Sequence, residues 1–360
     1  MKGMLEAAID YESNGKPVIA FPHAIYDPLE VNKIMPNGYS LIASVRNPQT
    51  LLPSIMVDFG LVDNVLKGAK DSAVKPPINA SMAPNYFLSH TGYFDNIKNG
   101  HVKPLKSLMT QLFGVPIPKL DDISYVKQHI EAVVKRFDFV IVNEYFDESM
   151  VILRRKMGWE MRDVLYISKR RRKKKTIALT VDNIARLQNY SKADYILYDT
   201  FKTKLLKEEI PNYGPIEDEL YTFRNIVKSF GDFCDGVLTK VKNNPNVIYE
   251  MAKQPEYKIH LDPFPWGRPF DLHAVECAIT VMDTTILNTI HLVRQRPGVC
   301  KNLQGTKKMW DNWGNPRHYT IKGREHWSFH KVFCEQSEKM FNVPLNILSK
   351  IDAYFKQFEI

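Results

Sequence analysis

Several motifs that mark large enzyme classes are missing from this sequence. It contains no Gly-rich phosphate loop of the form GxxxxGK followed by Ser or Thr, no GxSxG and no HExxH. Only four cysteines are present, and none has CxxC spacing: Cys234, Cys277, Cys300 and Cys334. A serine hydrolase, a zinc protease and a structural zinc site therefore have no support. The even number of cysteines permits two disulfides in an oxidising compartment or four free thiols in a cytosolic core.

A long apolar run is also missing. No stretch approaches the roughly 18 apolar residues that a membrane-spanning helix requires. The first twenty residues include Glu6, Asp10 and Glu12 and do not have the pattern of a signal peptide. Membrane association is therefore expected only through a segment absent from this chain. Two sequons, at residues 79–81 and 189–191, would suit a glycoprotein of the secretory pathway.

The sequence carries an excess of positive charge, with a formal net charge of +9. Hydrophobic residues make up 44% and charged residues 25%, which is typical of a folded globular protein. The excess of basic residues favours an anionic partner: a phosphorylated cofactor, an acidic glycan, a nucleic acid or an anionic membrane. The densest basic run, residues 169–175, has no aromatic residues between its charges, so a solvated loop is favoured there over a nucleic-acid interface.

Short apolar runs alternate with helical patterns in the first half of the chain. This alternation predicts βαβ units and an α/β fold, with a parallel sheet flanked by helices. We predict strands at residues 18–21, 40–45, 138–145 and 163–167. Residues 1–230 are expected to form this α/β domain, and residues 231–360 a helical and irregular, aromatic-rich extension packed on the same domain.

Helices are predicted on both sides of the third strand. The helix after it should be capped by Asp147 or Ser149 and should end at Gly158. The helix before it should bury one apolar face, formed by Val126, Ile130 and Val133. Residues 182–209 and 216–230 are also predicted to be helical, whereas three prolines predict a loop between residues 261 and 270.

Arg46 directly follows the second predicted strand, where Pro48 forces the chain to turn. The carboxyl ends of parallel strands are where α/β sheets bind ligands, and an arginine there can bind a phosphate through charge-assisted hydrogen bonds. Ser54 follows eight residues later and could reach the same anion with its hydroxyl. The alternative is that Arg46 pairs with a local carboxylate and Ser54 is only a helix residue.

Two residues are candidates for acid–base chemistry. Glu144 follows the third predicted strand, and helix capping does not account for it, so it could bind substrate hydroxyls or act as a base. His23 lies just beyond the first predicted strand and could accept a proton from a hydroxyl near neutral pH. A structural role is the alternative for each.

The block from Arg136 to Arg170 closely resembles the galactose 3-O-sulfotransferase family, which includes galactosylceramide sulfotransferase. The resemblance is carried by the core EYFDES at residues 144–149, the helix after it and the WExxDVLY pattern at residues 159–166. Residues 44–59 are similar to the family's segment that contacts the 3′-phosphate of the sulfate donor, and residues 193–201 match a further family stretch. The resemblance runs from about residue 18 to about residue 230.

The resemblance implies a P-loop-like sulfotransferase fold and a place at the lumenal face of the Golgi membrane. The implied reaction transfers a sulfuryl group from 3′-phosphoadenosine 5′-phosphosulfate (PAPS) to the 3-hydroxyl of a terminal galactose on a glycolipid or glycan, without a metal. Arg46 and Ser54 would hold the 3′-phosphate of PAPS, and His23 would lie near the acceptor pocket. Nucleic acid is not an expected partner.

The sequence departs from the family pattern at three places. Asn47 replaces an acidic residue, Ile55 replaces a second serine, and the family's Lys-Thr-His-Lys-Thr phosphosulfate loop is absent, so we expect the α/β domain to be incomplete at its N-terminus. A catalytically inactive, glycan-binding relative is one alternative function. A basic nucleic-acid-binding protein is a less favoured one.

Overall fold

A computed structural model gives the fold of the chain in a set of described segments. The described residues are 25–34, 38–58, 61, 65, 82–92, 105–167, 178–243, 257–262, 265–274 and 276–277. The predicted strand at 18–21, His23 and the basic run at 169–175 lie outside them. The described residues belong to two units, one taken from residues 25–159 and 178–220, the other from residues 160–167 and 221–277.

A parallel pair of strands lies at the centre of the first unit. β1 (Ile42–Val45) pairs in parallel with β2 (Phe139–Val142), with Ile42 opposite Phe139 and Val45 opposite Val142. The Asp138 carboxylate accepts a hydrogen bond of 2.7 Å from the backbone N–H of Leu41 and so fixes the start of the pair. This pairing confirms two of the predicted strands and their parallel direction.

Helices surround this pair, so the described part of the chain is a mostly helical α/β arrangement with a small parallel sheet. The helices of the first unit are α1 (Pro28–Ile34), α2 (Pro48–Asp58), α3 (Ala83–Ser89), α4 (Leu108–Leu112), α5 (Ile123–Arg136), α6 (Phe146–Met157), α7 (Val181–Tyr190), α8 (Lys192–Lys204) and α9 (Ile210–Tyr213). A π-helical turn, Leu205–Glu209, joins α8 to α9. Short 3₁₀ turns at Ile117–Lys119 and Asn143–Tyr145 complete the unit.

The helices on either side of β2 follow their predicted patterns, except at one cap. In α5 the predicted apolar face is buried, and Asp122 caps the helix by accepting from the backbone N–H of Tyr125. In α6 the chain ends the helix at Gly158, which has a φ of 66°, a conformation that favours glycine. The predicted side-chain cap of α6 is wrong: Tyr145 is the N-cap, and the Ser149 hydroxyl instead accepts from the backbone N–H of Val142.

The predicted strand at residues 163–167 is wrong. Met161–Val164 forms a 3₁₀ turn, and residues 165–167 have no regular structure. The turn is closed by a capping box in which the Asp163 carboxylate accepts from the backbone N–H of Glu160 while the Glu160 side chain accepts from residue 163. Because the backbone N–H groups of residues 160 and 163 are hydrogen-bonded within the turn, they are not available to pair with another strand.

The second unit is built on a long helix and a hairpin. Helix α10 (Glu217–Asn243) begins in the first unit and continues in the second from Tyr221. β3 (Lys258–Leu261) pairs antiparallel with β4 (Phe270–His273), and the predicted loop lies between these strands. A disulfide joins Cys234 of α10 to Cys277 after β4. Both cysteines are buried in an apolar cluster with Phe230, Val237, Leu272 and Ala274.

No helix in the described segments is long and apolar enough to cross a membrane. The division at residue 230 into an α/β domain and a C-terminal extension stays a prediction.

A buried ion cluster fastens α6 to the first turn of α10. The Glu219 side chain is fully buried. Its Oε1 accepts from Arg154 Nε and Nη2 at 2.9 and 2.6 Å, and its Oε2 accepts from Arg155 Nε at 2.7 Å. Arg155 also donates to the backbone carbonyls of Tyr213 and Pro215, so the cluster orders the turn before α10 as well.

Removing this carboxylate should destabilise the protein strongly. We expect Glu219→Ala to lower the free energy of unfolding by about 3–5 kcal/mol, because it leaves two mostly buried arginines without their anion. Urea denaturation followed by circular dichroism measures the change. Glu217→Ala, an exposed glutamate in the same helical turn, is the matched control and should cost less than about 1 kcal/mol. Equal losses in the two variants would contradict this account of the cluster.

A second buried carboxylate, Asp194 in α8, anchors the start of α4. It accepts from the backbone N–H of Thr110 at 2.8 Å, from the Thr110 hydroxyl at 2.7 Å and from the backbone N–H of Met109 at 3.3 Å. Burial raises the pKa of Asp194 from 3.8 to about 6, against the opposing effect of these hydrogen bonds. The folded protein therefore binds this proton more tightly than the unfolded chain does.

The stability of the protein should depend on pH through Asp194. Protonation of Asp194 raises the free energy of unfolding. This contribution is complete below about pH 3.8 and is lost as the pH rises through about 6. The difference of about two units between the folded and unfolded pKa values of Asp194 corresponds to about 3 kcal/mol in the free energy of unfolding. Urea unfolding between about pH 4 and about pH 7 should show this dependence in the wild type and lose it in Asp194→Asn. The exposed Asp182→Asn is the control, and the same pH dependence in all three proteins would refute the assignment.

Candidate functional site

The carboxyl ends of β1 and β2 carry the candidate site. Immediately after β1, Asn47 caps α2: its carbonyl accepts from the N–H groups of Thr50 and Leu51 at 3.0 and 2.9 Å, and its side-chain oxygen accepts from that of Gln49 at 2.9 Å. Asparagine is as good an N-cap as an acidic residue, so the departure from the family pattern at this position keeps the helix start intact. Arg46 is thereby held between a strand end and a helix start.

The Arg46 guanidinium faces two hydroxyls of α2. Its Nε donates to Thr50 Oγ1 at 3.0 Å, and its Nη1 donates to Ser54 Oγ at 3.2 Å. Arg46, Thr50 and Ser54 are spaced four residues apart, so one side of the first turns of α2 carries both hydroxyls. Within the described residues the guanidinium has no carboxylate partner, and these two bonds use two of its five N–H groups.

Glu144 reaches this cluster from the 3₁₀ turn after β2. Its two carboxylate oxygens accept from the backbone N–H of Asn47 at 3.0 and 3.2 Å. Its Oε1 also lies 3.3 Å from the Thr50 hydroxyl, which is placed to donate to it. Glu144 thus links the ends of two neighbouring strands.

Helix α8 forms the side of the site beyond Glu144. Burial raises the pKa of Tyr198, and the negative charge of the nearby Glu144 carboxylate raises it further, so the phenol stays protonated. One turn later, the Lys202 ammonium lies 5.9 Å from the centre of the Tyr198 ring and 6.0 Å from that of Tyr145. These distances are those of cation–π contacts.

The residues of this site suit an anion better than a metal ion. Arg46 supplies a charge with uncommitted N–H groups, and Thr50 and Ser54 supply neutral hydroxyls, which together match the oxygens of a phosphate. No cluster of His, Cys, Asp and Glu able to hold a metal ion occurs among the residues that the structure describes. The arrangement therefore fits an anionic group such as a phosphate.

Three of the four site residues that were predicted from the sequence lie together in the structure. Arg46, Ser54 and Glu144 lie in one hydrogen-bonded cluster, whereas His23 lies outside the described residues, so its role stays a prediction. Sequence reasoning missed Thr50 and Tyr198. The four-residue spacing from Arg46 could have identified Thr50, but Tyr198 has no local signal and depends on the tertiary fold.

Comparison with known proteins identifies the family. The family model described as galactose-3-O-sulfotransferase matches residues 7–253. Mouse galactose-3-O-sulfotransferase 2 is 30% identical over 198 residues, which is 52% of this chain and 46% of the relative. Human galactosylceramide sulfotransferase is 31% identical over 137 residues, which is 38% of this chain and 30% of that relative. No solved structure matches significantly.

These matches leave part of the relatives uncovered, since the chain spans about half the length, or less, of the curated relatives that it matches. The family model, however, covers more than half of the chain and includes Arg46, Ser54 and Glu144. The chain belongs to the galactose-3-O-sulfotransferase family.

Proposed function

We propose that this protein transfers a sulfuryl group from PAPS to the 3-hydroxyl of a terminal galactose on a glycolipid or glycan. Family membership supports the reaction class, and the names of the relatives support galactose as the acceptor. The observation that supports the donor assignment is the Arg46 guanidinium, which is held by Thr50 and Ser54 through two of its five N–H groups and has no carboxylate partner among the described residues. We propose the Golgi lumen as the place of this reaction and the P-loop-like sulfotransferase fold as its framework.

In the donor-binding step, Arg46, Thr50 and Ser54 each have a distinct role. PAPS supplies the sulfuryl group, and the chemistry replaces one sulfur–oxygen bond with another. Arg46 donates paired, charge-assisted hydrogen bonds to the 3′-phosphate beside the Ser54 hydroxyl, while Thr50 accepts from Arg46 Nε and so orients the guanidinium. The 3′-phosphate is remote from the reacting sulfur, so these contacts bind and orient the donor.

The acceptor-activating step requires a base that removes the proton of the galactose 3-hydroxyl. His23 and Glu144 are the two candidates from the sequence for this base. Stabilising negative charge on the departing phosphate would require basic groups near the 5′ end of the donor.

The donor site can be tested with the desulfated donor, 3′-phosphoadenosine 5′-phosphate (PAP). We expect calorimetric titration of PAP to show binding of about micromolar affinity, and Arg46→Ala to weaken it by roughly tenfold to hundredfold, since charge-assisted bonds are worth about 1.5–3 kcal/mol. Ser54→Ala should weaken it by about threefold, because a neutral hydroxyl contributes less. Arg186→Ala, an exposed arginine of α7, is the matched control and should bind PAP as the wild type does.

The position of the phosphate can be tested separately. Adenosine 5′-monophosphate lacks the 3′-phosphate, so its binding should be the same in the wild type and in Arg46→Ala. Absence of PAP binding by a sample that is folded by circular dichroism would refute the donor site. Galactoside binding without PAP binding would instead identify a catalytically inactive, glycan-binding relative.

A further inference from the structure

Glu144 occupies an unusual place between the two strand ends. Its carboxylate is bonded to the backbone of the β1–α2 connection, 97 residues away in the sequence, rather than to neighbours in its own turn. The acceptor capacity of a carboxylate is about four lone pairs. The backbone N–H of Asn47 contacts both oxygens and the Thr50 hydroxyl contacts Oε1, so part of that capacity is already used.

These contacts reach the donor-binding arginine through one intervening hydroxyl. Thr50 Oγ1 accepts from Arg46 Nε, so its own hydrogen must point elsewhere, and Glu144 Oε1 is one of its two acceptors. Glu144 also fixes the backbone N–H of Asn47, the residue after Arg46. The carboxylate therefore acts on both the backbone and the side-chain partner of the arginine.

We propose that Glu144 is a positioning residue that holds the Arg46 loop and the Thr50 hydroxyl in the geometry required to bind the 3′-phosphate. This inference rests on the proposed function. To act as the base, Glu144 would have to give up donors that it binds in the structure, whereas to act as a positioning group it only has to keep them. Tyr198, protonated and buried beside it, fixes the carboxylate from the other side.

Two substitutions separate positioning from base catalysis. In Glu144→Gln the amide oxygen can still accept from Asn47, and Thr50 can donate to the Asn47 carbonyl, 3.1 Å away, but the side chain cannot take a proton. In Glu144→Ala both functions are lost. We expect Glu144→Ala to weaken PAP binding by about tenfold, as for the loss of one charge-assisted bond, and Glu144→Gln to bind within about threefold of the wild type. Glu131→Ala, an exposed glutamate of α5, is the control.

Turnover of a galactoside gives a second readout. Glu144→Gln should keep the shape of the wild-type pH profile of kcat, while Glu144→Ala should raise the KM for PAPS more than it lowers kcat. If both variants bind PAP like the wild type and both lose kcat, Glu144 is the base and the proposal is overturned.

Amide hydrogen exchange tests the positioning role of Glu144 without relying on PAP binding. The Asn47 amide should exchange faster in Glu144→Ala than in the wild type, with Glu144→Gln close to the wild type. If the wild type fails to bind PAP, the proposed function fails, and this measurement still decides whether Glu144 holds the loop. Unchanged exchange in Glu144→Ala would overturn the positioning role.

Discussion

The parallel register of β1 and β2 is the constraint on which the rest of the site depends. With Val45 opposite Val142, the two strands end side by side, and the chain leaves both at the same edge. One exit starts α2 at Asn47, and the other forms the turn that carries Glu144. A slip of the register by one residue would turn each strand's side chains to the opposite faces and separate the two exits. The hydrogen bonds between Asn47 and Glu144 therefore depend on the backbone pairing between β1 and β2.

Helix α8 supports this edge through contacts with two neighbouring parts of the fold. Asp194 and Tyr198, one helical turn apart, point to different parts of the fold: Asp194 anchors the first residues of α4, and Tyr198 meets Glu144. Helix α4 in turn brings the Met109 sulfur to 3.3 Å from the backbone nitrogen of Arg46. Polar groups of the site are thus held by a helix that is itself packed through apolar residues, among them Leu197 and Phe201. Such support from a rigid element preserves site geometry better than a loop would.

Sequence reasoning recovered the parts of this architecture that depend on local patterns. The apolar runs at 40–45 and 138–145 predicted β1 and β2, although β1 is buried only at Val45. The apolar spacing of Val126, Ile130 and Val133 predicted α5, because a buried helix face repeats every three to four residues. The run at 163–167 has the same composition as a strand, yet the capping box at Glu160 satisfies the backbone locally, and composition does not report that competition. The hairpin strands were missed because KIHL and FDLH mix polar with apolar residues and lack the short apolar run that marks β1 and β2. Of the site, Arg46 and Ser54 follow from a strand end and helical spacing, whereas the meeting of Glu144 with Asn47 and Tyr198 is set by tertiary packing alone.

The disulfide between Cys234 and Cys277 gives the second unit a covalent topology that differs from its linear order. The two cysteines are 43 residues apart, and the whole hairpin of β3 and β4 lies inside the ring that they close. A protease that cut the backbone once between them would produce two fragments still joined by the bridge. The hairpin would leave the long helix only after reduction, so a single cleavage would be visible on a reducing gel and hidden on a non-reducing one.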